Sequence, residues 1–524
     1  MSTNEPEKMT AQQEVPYEGV TCECTADGTV PDYLPEIRRV LSVRAEAIPG
    51  GQYTGQNRAE CAGSCRFAIL YADPDGVISS VEAVGDFECS VPLSGADPSS
   101  VLTCWEAVAE PPTCRLGGPR KYSLRTVVCC RARVFLPGPD SLTPPAAEDG
   151  CGCEVLQKEQ SVREVIPFVT DPIPLTGSVL CEAEGEVKVL LSEGRVLVRD
   201  CVAENGVCLC RGEVRVGMLC EAEGGAAFPL SVVIPFEEEI AEIAAGDGCR
   251  TTCHGYLTEC NCAVVEDGEG GRSIGADVTM VLDGCRIRQV RIAPTADLYS
   301  VHCPSHVQYS GCDAWENLFA GNFCFTLDGS AGREDAGEDA VSVADTSVTV
   351  SPARFSAEGN TLTAEADARV QMILLSAPDA DGHCTPSAVS FTCPVKMEIS
   401  MQNPLPEEAK ITGYITITAP HGRLDQNRFF FDCEASLSVS ADRADSMQIV
   451  TGFEADTGHP YPAPHTGMIC AAYLHDGDTL WQVAKRYHVP VSAIAESNAL
   501  PPEATEEPDN RDALDGYVKL LIEE

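Results

Sequence analysis

Three segments of this 524-residue chain repeat one pattern at a spacing of about 150 residues, and that self-similarity restricts the fold more than any other feature. They run from Leu41 to Leu93, from Gly194 to Ile240 and from Ser347 to Ile399. Each reads as a strand, a turn, a long alternating strand, a Gly/Asp/Pro turn and a closing strand with an apolar–Pro signature at Pro92, Pro235 or Pro394. The alternation is plainest in EADARVQMILL, where Ala366, Ala368, Val370, Met372 and Leu374 fall two apart, the period of a half-buried strand. PDG at Pro74, AEGG at Ala222 and DADG at Asp379 supply turn residues that tolerate positive φ. A second pair of long strands follows each unit, as in RKYSLRTVVCCRARVFLPG and GRSIGADVTMVLDGCRIRQVRIAP. Sheets that bury one face each stack into sandwiches.

A chain this long exceeds one ordinary core, so several domains are expected. The expected class is mainly β: repeated β-sandwich-like domains followed by a small α+β (βααβ) domain. The expected division is a disordered segment over 1–32, β-domains over 33–136, 161–300 and 301–455, a linker over 137–160, a Pro-rich linker over 456–468 and a terminal domain over 469–524.

Near the C-terminus the period becomes helical in YLHDGDTLWQVAKRYHVPVSAIAESNAL, where Leu480, Val483, Ala484 and Tyr487 stand at i, i+3, i+4 and i+7. Thr479 is placed to cap this helix. Val491, Ile494 and Ala495 form a second stripe, and Asn498 is the expected left-handed stop. Short strands before Gly477 and after Tyr517 complete the unit. Gly477, Asp478, Thr479, Leu480, Trp481, Ala484, Tyr487, Val489, Ile494, Asn498, Leu500, Gly516 and Leu521 match the spacing of the LysM family, which this segment resembles. The resemblance implies a shallow groove, between the loop after the first strand and the loop after the second helix, that binds N-acetylglucosamine glycans of peptidoglycan or chitin. Carried onto this chain, the groove falls on Gly477, Asp478, Thr479, Leu480, Ile494, Asn498 and Leu500. Leu480 and Ile494 also read as core, and Gly477 with Asp478 as a turn. PPEATEEPDNRDA lengthens and acidifies the loop beside that groove, which favours a protein ligand.

ILYADPDG and SVVIPFEEEI in the repeats, placed ahead of a terminal LysM unit, resemble the SPOCS-domain spore coat assembly proteins of spore-forming Firmicutes. That resemblance spans roughly 33–522. It implies a non-catalytic scaffold in the mother-cell cytoplasm, then at the forespore surface or in the coat, docking through LysM to a SpoIVA-like coat morphogenetic protein. The alternative is a cell-wall or cortex protein that binds peptidoglycan.

The 28 cysteines, 24 of them at or before Cys324, set a further problem. Cys22 with Cys24, Cys151 with Cys153, Cys208 with Cys210 and Cys260 with Cys262 are Cys-x-Cys pairs, whose thiols share one strand face. Cys249, Cys253, Cys260 and Cys262 loosely resemble a zinc quartet. Late oxidation into cross-links between copies, and thiols packed as small hydrophobes, are the competing readings. No cofactor or metal is assigned on sequence grounds. A formal net charge of −44 repels phosphate backbones and anionic bilayers, so no nucleic-acid partner and no membrane insertion are expected. The polar opening MSTNEPEKMTAQQEVPYEGV lacks an apolar export core. His254 beside Cys253, and His302 and His306 about Cys303, have no catalytic motif around them, so no enzyme is expected.

Overall fold

The computed structural model describes residues 11–93, 97–139, 141, 152–183, 185–204, 206–223, 227–245, 249–266, 272–332, 340–379, 384–418, 420–425, 428–462, 469–475, 477–514 and 516–523. The chain is mainly β with a small α+β region at its C-terminal end. Cys151 lies outside the described residues.

The first β-domain contains β1 (Gln12–Thr29), β2 (Arg39–Thr54), β3 (Arg58–Ala72), β4 (Ile78–Pro92), β5 (Leu102–Ala109), β6 (Thr113–Gly118) and β7 (Lys121–Pro137). Strands β2, β3 and β4 form an antiparallel meander from the first repeat segment. The facing sheet has β7 at its centre, β1 on one side and β5 with β6 on the other. A short strand, β8 (Cys153–Gln157), precedes the second domain of β9 (Gln160–Val169), β10 (Ile173–Leu180), β11 (Val187–Glu204), β12 (Gly206–Ala222), β13 (Ala227–Ala245), β14 (Arg250–Glu266) and β15 (Arg272–Ile292). Here β11, β12 and β13 are the meander, and β15 is flanked by β14 and by β9 with β10. After β16 (Thr295–Ser300), the third domain contains β17 (Ser305–Gly332), β18 (Ala340–Val350), β19 (Arg354–Glu358), β20 (Thr361–Ser376), β21 (Pro386–Ser400), β22 (Lys410–Ile417), β23 (His421–Asp425) and β24 (Arg428–Ala455). Strand β20 is its meander centre, and β24 lies between β17 and the broken edge of β22 and β23. The three domains share one topology: an edge strand, a meander, an opposite edge, and a last strand that closes the middle of the second sheet.

Alternation produces the layers. Along β20, Leu362, Ala364, Ala366, Ala368, Val370, Met372 and Leu374 turn inward against Phe429, Phe431, Ala435 and Leu437 of β24. Small inward residues let the sheets approach closely, and aromatic rings cover glycines across the strands. Gly63 pairs with Phe87, Gly212 with Phe236, Gly284 with Phe168 and Gly329 with Phe431, each ring lying where a Cβ would stand.

The domains close into a ring. Strand β4 packs on β11, β13 on β18 and β21 on β2, so the last meander strand of each domain meets the first of the next. Bulges at Leu41, Leu190 and Ala344 interrupt β2, β11 and β18, and all three residues are buried in one junction with Ile78, Leu219 and Ile373. Burial contributes about 1.5–3 kcal/mol for each large aliphatic side chain. Arg44 reaches Glu193 at 2.9 Å and also Asp345, joining the three domains, but desolvation offsets much of that attraction, so the apolar cluster dominates. Elsewhere Arg163 holds Glu14 and Asp442 and lies 4.9 Å from the Trp315 ring centre, again linking all three.

Two expectations are corrected. Gln12–Thr29, placed in the disordered segment 1–32, is a strand whose partners in β7 lie about a hundred residues away. Its Thr, Cys and Gly content hides it, because it contributes Cys24 and Ala26 to the core rather than large aliphatics. The linker over 137–160 contains β8, which pairs with β16.

Candidate functional site

The C-terminal unit consists of β25 (Ile469–Tyr473), α1 (Leu480–Tyr487), α2 (Val491–Ser497), the one-turn α3 (Glu503–Glu506) and β26 (Lys519–Glu523), which pairs antiparallel with β25. Leu480, Trp481, Val483 and Ala484 point α1 inward, and Val491, Ile494 and Ala495 do so for α2. The Thr479 hydroxyl accepts the Gln482 backbone N–H at 3.2 Å, while Gln482 Oε1 accepts that of Thr479 at 3.2 Å, a reciprocal cap. His488 ends α1 at φ 56°.

The groove candidates divide by what their side chains do. Leu480 and Ile494 are core residues, and buried Thr479 is consumed by the cap. Asp478 accepts the His475 N–H at 3.1 Å and pairs with Arg486 at 2.9 Å; burial opposes its ionised form, but the bonds from Arg486 and His475 hold its carboxyl below the usual range. Gly477 takes φ +89°, a turn position that suits glycine. Asn498 donates to the carbonyls of Ile494 (2.8 Å) and Leu521 (2.7 Å) and accepts the Leu521 N–H (2.7 Å), fastening β26 to the end of α2. Asn498 is not the left-handed stop: it sits at φ −108°, and Ala499 takes φ +48°. The side-chain demands of Asn498 explain the shift, since its amide must face Leu521. Leu500 is half-buried against the module core. Gly477, Ala499, Pro501 and Pro502 are exposed.

The longer loop folds back on the first wall of this groove. The Pro508 carbonyl accepts the Trp481 backbone N–H at 2.8 Å, Asp509 lies 3.5 Å from the Thr479 hydroxyl, and a Cβ at Gly477 would stand 3.9 Å from the Arg511 guanidinium carbon. Glu503, Glu506, Glu507 and Asp512 remain exposed beside it.

Sequence reasoning missed how the module is mounted. Its core continues into Leu156 of β8 and Tyr299 of β16. Asp297 accepts the Trp481 indole N–H at 2.8 Å, both contacts of the Lys485 ammonium at 2.6 and 2.8 Å, and the Tyr309 hydroxyl at 2.6 Å. Burial pushes the Asp297 carboxyl up, but these three donors outweigh it and hold the group below its ordinary range. The Tyr299 hydroxyl donates to the Val489 carbonyl at 2.7 Å, its ring meets Trp481 edge-on at 5.0 Å, and Lys158 pairs with Asp509. From the segment read as linker, Tyr461 stacks on His488 at 4.2 Å and donates its backbone N–H to the His302 carbonyl. These ties use α1, the turn after it and Asp509, while Gly477, Ala499, Pro501 and Pro502 stay exposed.

Residues 476–504 match the LysM domain family, and the unit around them is a LysM domain that includes the one-turn α3. No curated protein matches the chain. Among the described residues no helix is long and apolar enough to cross a membrane. Of the remaining histidine candidates, His254 lies 4.8 Å from the Tyr414 ring with the two rings tilted by 42°, and burial lowers its pKa to about 4; Cys303 bonds to Ser300.

Proposed function

We propose that the chain is a non-catalytic binding protein whose LysM domain engages N-acetylglucosamine-containing glycan, peptidoglycan foremost, from a rigid three-domain β-platform. The observation that carries this reading is the LysM domain itself, mounted through α1 so that the loops ending at Asp478 and beginning at Asn498 stay open to solvent. Because the side chains of Thr479, Leu480, Ile494 and Asn498 serve the fold, recognition falls to the loop backbone and to exposed neighbours such as His475 and Pro501. The full chain should sediment with insoluble peptidoglycan and be released by soluble N-acetylglucosamine oligomers. Absence of co-sedimentation at every ionic strength would sink it.

A second reading is a spore coat scaffold in which LysM docks a SpoIVA-like coat protein and the β-domains self-associate or cross-link. It draws support from Glu503, Glu506, Glu507 and Asp512 crowding the groove, since carboxylates suit a basic protein surface better than a neutral sugar. Its binding would weaken steeply with added salt, whereas release by the oligosaccharide would not be seen.

A further inference from the structure

The cysteines have an arrangement that neither reading uses. Cys201 on β11 and Cys210 on β12 are directly paired across the strands, Cys208 lies two residues from Cys210 on the same face, and Cys253 arrives from β14. The sulfurs of Cys201, Cys210 and Cys253 all lie within 4.8 Å of one another. Cys208 Sγ stands 3.2 Å from Cys201 Sγ and within bonding reach of Cys210. All four are buried, Cys208 and Cys210 completely, while Cys201 at 9% exposure gives the group its contact with solvent. We propose that Cys201, Cys208, Cys210 and Cys253 form a tetrathiolate zinc site inside the second β-domain.

The spacing suits the ion. Zn–S bonds of about 2.3 Å in a tetrahedral site set sulfurs about 3.8 Å apart, inside the mutual range of Cys201, Cys210 and Cys253; Cys208, held beside Cys201 and Cys210 but outside that mutual group, turns toward Cys253 to complete the tetrahedron. The donor set is also selective, because all-thiolate sites favour zinc and other soft cations over magnesium or calcium. The backbone of the ligands is held from outside: the Thr251 hydroxyl donates to the Cys201 carbonyl, and Asn322 of the third domain bonds both the N–H and the carbonyl of Cys253. Such bonds fix ligand orientation before metal arrives. Of the quartet suggested by sequence, only Cys253 belongs here; Cys260 and Cys262 bond to each other instead. Cys22, Cys89 and Cys130 of the first domain form a second such trio, in which Cys22 is only half-buried.

The test is metal analysis of the full chain purified anaerobically with zinc, followed by exchange for Co2+, whose absorption distinguishes tetrahedral thiolate coordination. Cys210→Ser and Cys253→Ser should each lose one metal equivalent, Cys208→Ser should retain metal more weakly with an altered Co2+ spectrum, and Cys433→Ser should leave this signal unchanged. Chelation should lower the melting temperature of the parent chain, a readout that needs no variant to fold. A folded, metal-free parent that gains no Co2+ thiolate band, or one in which mass spectrometry finds Cys201 in a disulfide with Cys208 or Cys210 under the same conditions, would overturn the assignment.

Discussion

Replacing Asp297 should release the LysM domain from the β-ring without unfolding either. In Asp297→Ala the Trp481 indole N–H, on a side chain only 3% exposed, loses its acceptor at a place water reaches poorly. Leaving such a donor unsatisfied costs about 1–3 kcal/mol. The Lys485 ammonium loses both contacts, but with its side chain 36% exposed it recovers hydration, so its share is about 0.5–1 kcal/mol. Tyr309, exposed, turns to water at little cost. The sum, about 1.5–4 kcal/mol, corresponds to a shift of roughly ten- to several-hundred-fold in the docking equilibrium. Asp297→Asn keeps an oxygen for Trp481 and loses the ion pair, so it should give about 0.5–1 kcal/mol. Hydrogen exchange read by mass spectrometry should show faster exchange over 153–157 and 295–300 in the Ala variant, while amides within α1, protected by the module's own fold, change little. Exchange over 153–157 and 295–300 that stays within about threefold of the parent would refute the claim that this carboxylate holds the dock. Acid should act in the same direction. Because the folded-state pKa of Asp297 is depressed, its contribution is present above the ordinary carboxylate pKa near 4 and is lost as pH falls through the lower folded value.

Asn498→Ala removes the two bonds that join the end of α2 to β26 and a third to the Ile494 carbonyl within α2, and should destabilise the LysM domain by about 1–3 kcal/mol, seen as a lower melting temperature for its helical signal. An Asn498→Ala protein with unchanged melting but lost glycan binding would instead make Asn498 a ligand residue. Gly212→Ala drives a Cβ against the Leu197 carbonyl and to 2.7 Å from the Phe236 ring, which should cost about 1–3 kcal/mol in denaturant unfolding; a neutral effect would show that this ring can move aside. Burial lowers the His254 pKa to about 4, so the unfolded chain takes up that proton first and stability falls as pH drops from about 6.5 toward 4. His254→Asn should flatten this limb of the pH–stability curve, and an unchanged slope would assign it to other groups.

What the sequence made legible follows the range of the forces involved. The meanders could be read because β2–β4, β11–β13 and β18–β21 bury one face each, and period-two alternation is a local signal. The LysM helices could be read for the same reason, including the Thr479 cap. Strand β1 could not, since its identity depends on β7, and neither could the dock, which joins Asp297 to residues 184 and 188 positions away. Ring closure was hidden in ordinary-looking charges: Arg44, Glu193 and Asp345 each occupy strand positions that would suit a solvated face, and only the bulges at Leu41, Leu190 and Ala344 turn apolar side chains into the junction beside them.

The LysM motif shows the opposite limit, a site too legible by pattern. Residues matched at Thr479, Leu480, Ile494 and Asn498 recur at fixed spacing because a four-element module of this size needs a cap, two core anchors and a strand clamp, and each performs that task here. A spacing that reports the fold does not by itself report the ligand, since both depend on the same short loops. Two features of this module reach beyond the matched 476–504: the Pro508–Arg511 segment that packs on its first loop, and the dock on Asp297. On the proposed reading, Pro508–Arg511 and its carboxylate neighbours are the segment whose change should alter the choice between glycan and protein. Shortening that segment should raise glycan affinity if it narrows the groove, and leave it unchanged if it serves only to brace α1.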